Sequence, residues 1–245
     1  MSETPAAPAD DADADAEAEV LSPTDLRVDA TALGGLYTLL ARGFRHPDDE
    51  LHAAAADGRL REEVETLVER ADLDVSVPPL STDDDAETLS ARYNDLFVIG
   101  YSEYDDPTDG SLSATGPPVS LYESSYRDEV SWNDVNLDLA RAYEYFGAEP
   151  DTEFRDHHDA LPVMLEFTGY LCRLAATGEA GLDDARLDLI DRHVSYAVEG
   201  VADRLDAEAD PGLYGDLGRL ARRVVDADRD ALVAAREAAG GGEST

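Results

Sequence analysis

Between Arg155 and Gly178 the chain reads RDHHDALPVMLEFTGYLCRLAATG, and its apolar positions recur at helical spacing. Leu161, Met164, Leu165, Thr168, Leu171, Cys172 and Ala175 fall on one face, and Val163, Phe167 and Leu174 carry apolar surface beyond it. A helix apolar nearly all round has to lie among other helices. Asp159 is the expected N-cap, Leu161-Pro162 fits a first turn, and Gly178 supplies a left-handed stop. Glu166, between Leu165 and Phe167, is expected to point inward and so to need a donor or a proton. Tyr170 and Arg173, four and seven residues on, share its face.

The same period runs through most of the remaining chain. Leu33, Leu36, Tyr37, Leu40 and Phe44 stripe a helix that begins near Asp29 and ends at His46-Pro47. A short helix over Asp48 to Ala55 and an amphipathic one over Arg59 to Ala71 follow, then a Pro-containing connector from Val75 to Pro79. Asp83 to Val98 is helical, with Leu89, Arg92, Tyr93, Leu96 and Phe97 inward. Tyr101 to Ser120 has no helical period and reads as a long loop, of a length that is more often functional or mobile than inert. It leads into LYESSYR, Leu121 to Arg127. Ser131 or Asn133 can cap a helix reaching Phe146, with Gly147 as its stop. Asp183 to Leu205 is the longest periodic segment, and Leu213 to Val225 and Ala227 to Ala238 read as two last helices. No stretch alternates convincingly as a strand. About eight helices with short connections predict an all-α fold, a single globular helical bundle over 27–239. An acidic, disordered tail is expected at 1–26, and a frayed end at 240–245.

Composition changes this picture in one respect. Of 245 residues 56 are acidic and 19 basic, a net charge of -37, and all the basic residues are arginine. Self-repulsion on this scale is tolerable where salt shortens the Debye length to ~3 Å, at ~1 M. The acidity therefore reads as adaptation to a salt-rich cytoplasm, with DNA mimicry or cation buffering as the rival. It argues against nucleic acid or an anionic membrane surface as partner. No segment approaches the ~20 apolar residues of a membrane span, and the N-terminus lacks the features of a secretory signal, so a cytoplasmic location is expected. Cys172 is the one cysteine, so no disulfide can form within the chain.

Candidate chemistry is sparse. His157, His158 and Asp159 form the His-Asp pair used by HD-type metal-dependent phosphohydrolases, but no further His and Asp stand at the required places. No Glu has a His three residues after it, as a di-iron bundle would need. Gly-x-Ser-x-Gly is absent, and the lysine of a P-loop is missing with every other lysine. What remains is a groove: the turn of Tyr122, Glu123, Ser124, Tyr126 and Arg127, together with His158, Asp159, Leu161 and Glu166 around the central helix. Aromatic side chains beside carboxylates suit a peptide ligand carrying arginines. An HD-like hydrolase and an acidic helical scaffold stand as the alternatives.

Three stretches resemble the TorD/NarJ-type chaperones that mature molybdenum-containing redox enzymes. LYTLLARGFRHPDDEL, Leu36 to Leu51, is similar to that family's opening helix. ARYNDLFVIG and PPVSLYESSYR, Ala91 to Gly100 and Pro117 to Arg127, are similar to its Tyr-x-x-Leu-Phe helix end and Tyr-Glu-Ser-x-Tyr turn. DALPVMLEF, Asp159 to Phe167, resembles its PDHLPVxLEF motif, although His158-Asp159-Ala160 stands where the family has Pro-Asp-His. The likeness spans Leu33 to Val201 and, with the acidity, looks like a haloarchaeal member. It implies an all-helical protein without catalysis or cofactor. It implies further a monomer or homodimer that holds an apo molybdoenzyme catalytic subunit, often by its twin-arginine leader peptide, until the cofactor is inserted. The client it implies is a nitrate reductase or a dimethyl-sulfoxide or trimethylamine-oxide reductase.

Overall fold

The computed structural model describes residues 26–100, 102–106, 111–114, 116–127, 130–150 and 157–241, with backbone alone for 102–106, 111–114 and 241. Most of the expected acidic tail and the last four residues lie outside these. The helices are α1 (Val28–Gly43), α2 (Asp49–Ala56), α3 (Arg59–Arg70), α4 (Ala86–Phe97), α5 (Trp132–Tyr145), α6 (Leu161–Ala176), α7 (Leu182–Leu189), α8 (Ser195–Ala207) and α9 (Gly212–Gly241). A π-helical turn, Ile190–Val194, joins α7 to α8 in one rod, as the unbroken period from Asp183 to Leu205 predicts. Apart from one two-stranded hairpin the fold is all-helical, with eight helical rods among the described residues when α7 and α8 are taken together.

The central helix is where its sequence places it. Every residue of α6 from Leu161 to Leu165 is buried, as are Phe167, Leu171 and Cys172. Its most extensive partner is α1, whose Leu33, Leu36, Tyr37 and Leu40 are buried against it. Their backbones meet at two glycines: a Cβ on Gly34 would lie 3.0 Å from the Gly169 carbonyl oxygen, and one on Gly169 would lie 2.9 Å from that of Gly34. Neither position has room for a side chain.

Local capping chemistry sets several boundaries. Asp48 accepts from the Leu51 N–H at 2.7 Å and Asp85 from the Thr88 N–H at 2.8 Å, starting α2 and α4. Ser131 starts α5, its hydroxyl accepting from the Asn133 N–H at 3.2 Å. Gly147 and Gly178 take φ of +67° and +85° just beyond α5 and α6, where only the left-handed region turns the chain.

Three expectations are corrected. The cap of α6 is Ala160, because the Asp159 carboxylate is used elsewhere. The loop from Tyr101 to Ser120 contains an antiparallel hairpin, β1 (Ser102–Asp106) with β2 (Ser111–Ala114); neither strand carries an apolar alternation that would announce it. The last two expected helices are one, α9, whose 30 residues include Gly240 and Gly241 of the expected frayed end. Asp228, just past the expected break, is buried and fully engaged: Tyr37 Oη donates to it at 2.8 Å and Arg186 lies 3.2 Å away. Among the described residues no helix is long and apolar enough to cross a membrane.

Candidate functional site

The turn from Leu121 to Arg127 is tied to the start of α6 by main-chain hydrogen bonds. The Glu123 N–H donates to the Asp159 carbonyl at 3.0 Å and the Leu161 N–H to the Leu121 carbonyl at 2.7 Å, an isolated antiparallel bridge centred on Tyr122 and Ala160. Glu123 to Tyr126 then wind into a single 3-10 turn. The Asp159 carboxylate, 0% exposed, accepts from the Ser124 N–H at 3.1 Å and from Asn136 Nδ2 at 3.2 Å. Asn136 in turn accepts the His158 N–H at 2.7 Å, and Tyr143 Oη donates to the His158 carbonyl at 2.8 Å. One carboxylate thus joins the turn, α5 and α6.

Glu123 does the same for the rod of α7 and α8. It is also 0% exposed; Arg127 Nη2 lies 2.6 Å and His193 Nδ1 2.9 Å from its oxygens. The other imidazole nitrogen, Nε2, is 3.0 Å from Asp138 on α5, which also pairs with Arg192. Both neighbours of the ring are carboxylates, so it can donate to both only when both nitrogens carry hydrogen. His193 sits in the π turn, an interruption of regular helix of the kind often found at functional positions. Arg127 continues the chain outward, donating to the Arg192 carbonyl and lying 4.0 Å over the Tyr196 ring. Tyr126 Oη donates to the Ser120 carbonyl at 2.6 Å, and burial pushes its phenol up to about 12. Its ring lies on Gly200, where a Cβ would come within 2.4 Å.

The surface above this interior is aromatic. Tyr122 is 38% and Trp132 45% exposed, and the exposed His157 ring lies between them, centroids 5.1 and 6.2 Å away. Val130, Leu137 and Tyr196 are exposed as well, and a cavity of about 450 Å³ lies among Arg127, Leu137, Arg141, His193 and Tyr196.

The residues expected to form the groove are therefore split. Tyr122, Glu123, Ser124, Tyr126, Arg127, His158 and Asp159 do converge, but the Glu123 and Asp159 carboxylates face the interior and offer no charge at the surface. Leu161 is wholly buried. Glu166 does not point inward: it lies on the exposed strip of α6, and Arg45 Nη2 donates to it at 2.6 Å. Arg173 shares that strip and Tyr170 is half-buried along it, so the grouping of the three on one face holds while its direction is reversed. The solvating partner that an inward carboxylate would need is an arginine at the surface. As for metal chemistry, Asp159 is turned toward Ser124 and Asn136, and among the described residues no three His, Cys, Asp or Glu side chains are grouped to hold an ion. Asn136, Asp138 and Trp132 escape sequence reasoning, and His193, read from the sequence as a mid-helix residue without a carboxylate partner, has two, Glu123 and Asp138. Spacing could not show that Glu123, expected in the groove, meets a histidine 70 residues on.

The profile of the nitrate reductase delta subunit family matches residues 53–196, more than half of the chain. The perchlorate reductase assembly chaperone protein of Dechloromonas aromatica is 25% identical over 84% of this chain and 93% of its own length. The selenate reductase assembly chaperone protein of Thauera selenatis is 30% identical over 82% and 90%. The chlorate reductase assembly chaperone protein of Ideonella dechloratans is 30% identical over 60% and 71%. The chain belongs to the nitrate reductase delta subunit family.

Proposed function

We propose that the protein is an assembly chaperone for a molybdenum-containing reductase, binding the apo catalytic subunit, by its leader peptide, in the cytoplasm while the cofactor is inserted and before export. The relatives' names, perchlorate, selenate and chlorate reductase chaperones, favour an oxyanion reductase as client over a sulfoxide or amine-oxide reductase. The observation that carries the reading in this chain is the use of Asp159 and Glu123. Both are fully buried and hydrogen-bonded, so the motif builds a rigid platform and leaves Tyr122, His157 and Trp132 outside as the contact surface. Ser124, Tyr126, Arg127, His158 and Leu161 support that platform from within. Aromatic side chains with few rotatable bonds are suited to gripping a segment that has not yet folded.

The test is an affinity capture from the native host, with the chain and its Tyr122→Ala and Trp132→Ala variants as baits, followed by mass spectrometry. Recovery of a reductase catalytic subunit still bearing its leader, reduced at least tenfold by either variant, supports the reading. Capture of no redox subunit by the unaltered chain overturns it.

A further inference from the structure

We propose that the outer face of α5 is a contact between two copies of this chain, laid antiparallel about a two-fold axis. The inference is separate from the chaperone reading and stands or falls without it. α5 turns Val135, Leu139 and Tyr143 to the core. On its opposite side Asp134, Leu137, Arg141 and Tyr145 follow at intervals of three and four residues and point within about 80° of one another, and all four are exposed. Leu137 is 50% and Tyr145 82% exposed, the latter more than any other large apolar side chain among the described residues. Val130, just before the helix, and Tyr196, which lines the same cavity as Leu137, are exposed too. The two charges are open as well: neither Asp134 nor Arg141 forms a side-chain hydrogen bond or ion pair with another described residue, whereas Arg127 and Arg192 beside them are both paired.

The strip is complementary to itself, which is what a two-fold contact requires: residue i meets j while j meets i. With two α5 helices side by side and antiparallel about an axis between Leu137 and Asp138, Asp134 of each copy falls opposite Arg141 of the other. Leu137 then lies against Leu137, and Tyr145 against Val130. A parallel arrangement would set aspartate on aspartate and arginine on arginine. A foreign segment of either sign would satisfy one of the two charges and meet its like in the other. Two chains of net charge -37 repel at long range, so they can approach only where salt screens them and where, as on this strip, the local signs balance. A helix of 14 residues, about 21 Å long, offers less than the ~800 Å² per partner of a standard interface, so the pair is weak and reversible. Trp132 stands half a turn round the helix from Arg141, and the contact leaves Tyr122, His157 and Trp132 open to a client.

The experiment is sedimentation velocity of the full chain over a wide range of concentrations in ~1 M potassium chloride, where the Debye length is ~3 Å. The unaltered chain should show a reversible monomer–dimer equilibrium, and Leu137→Asp should weaken it about tenfold. Asp134→Arg sets arginine against Arg141, and Arg141→Asp sets aspartate against Asp134, so each alone should weaken the dimer several-fold. An equimolar mixture of these two variants pairs opposite charges at both ends and should associate at least as strongly as the unaltered chain. A variant that had merely lost its fold could not be rescued by mixing, and circular dichroism of each checks the point separately. A monomer at every concentration, a dimer indifferent to Leu137→Asp, or a mixture no stronger than its components overturns the contact. Should Leu137→Asp abolish capture of a reductase subunit with sedimentation unchanged, the face belongs to the client and the dimer falls. Failure of the unaltered chain to capture any redox subunit, with the dimer intact, overturns the chaperone reading alone.

Discussion

Glu123 and Asp159 differ in what their loss would leave behind, and the difference can be measured. Removing the Asp159 carboxylate strands the Ser124 N–H and leaves Asn136 Nδ2 only the Trp132 carbonyl, so Asp159→Ala should cost about 2–3 kcal/mol. Removing Glu123 takes a buried carboxylate from two partners, Arg127 and His193, leaving them the Arg192 carbonyl and Asp138, and Glu123→Ala should cost more, roughly 3–5 kcal/mol. Urea unfolding of the two variants against the unaltered chain reads the order directly, and a loss below about 0.5 kcal/mol in either would show that the carboxylate does not brace the turn. Client affinity should fall with both, through loosening of Tyr122, whereas Tyr122→Ala should lower affinity with little change in stability. The sequence identified these carboxylates as important but placed them at a surface, because spacing cannot tell a charge that meets a ligand from one that meets the protein's own donors. Glu166 shows the reverse error: bracketed by Leu165 and Phe167 it looked internal, yet the helical period turns it 100° from each, onto the strip shared with Arg173.

At the scale of the element, boundaries were legible wherever a side chain or a glycine sets them by itself. Asp48, Ser131, Gly147 and Gly178 act within three residues of where they stand, so no tertiary information is needed to place them. What the sequence could not show depends on distant residues: α9 continues because Tyr37 and Arg186, 191 and 42 positions from Asp228, satisfy that carboxylate. The π turn at His193 likewise answers to Glu123 and Asp138. The α2 cap gives a prediction with a defined pH dependence. The Leu51 N–H, then Arg42, hold the Asp48 carboxyl below its ordinary value of 3.8. A folded-state pKa lowered in this way contributes stability that is fully present above 3.8 and is lost as pH falls through the lower folded value. Asp48→Ala should therefore cost about 1 kcal/mol at neutral pH, a typical loss for a cap, and the difference from the unaltered chain should vanish in strong acid. Thermal unfolding at pH 7, 4 and 3 checks it; a difference that persists or grows toward pH 3 would contradict the cap assignment.

The whole molecule carries 56 acidic against 19 basic residues, and several of its arginines pair with carboxylates of a neighbouring element. Arg222 reaches Asp203 at 2.7 Å and Asp206 at 2.9 Å, and Arg219 reaches Asp206 at 3.0 Å and Asp216 at 2.6 Å, joining α8 to α9 through a chain of alternating charges. Such solvated pairs offset only part of the repulsion among the remaining carboxylates. Between 0.1 M and ~1 M salt the Debye length falls from ~10 Å to ~3 Å, which removes most of the long-range repulsion and leaves apolar burial untouched. Acidity read as adaptation to salt thus requires the melting temperature to rise over that range of potassium chloride, and a flat or falling curve would favour one of the other readings of the charge.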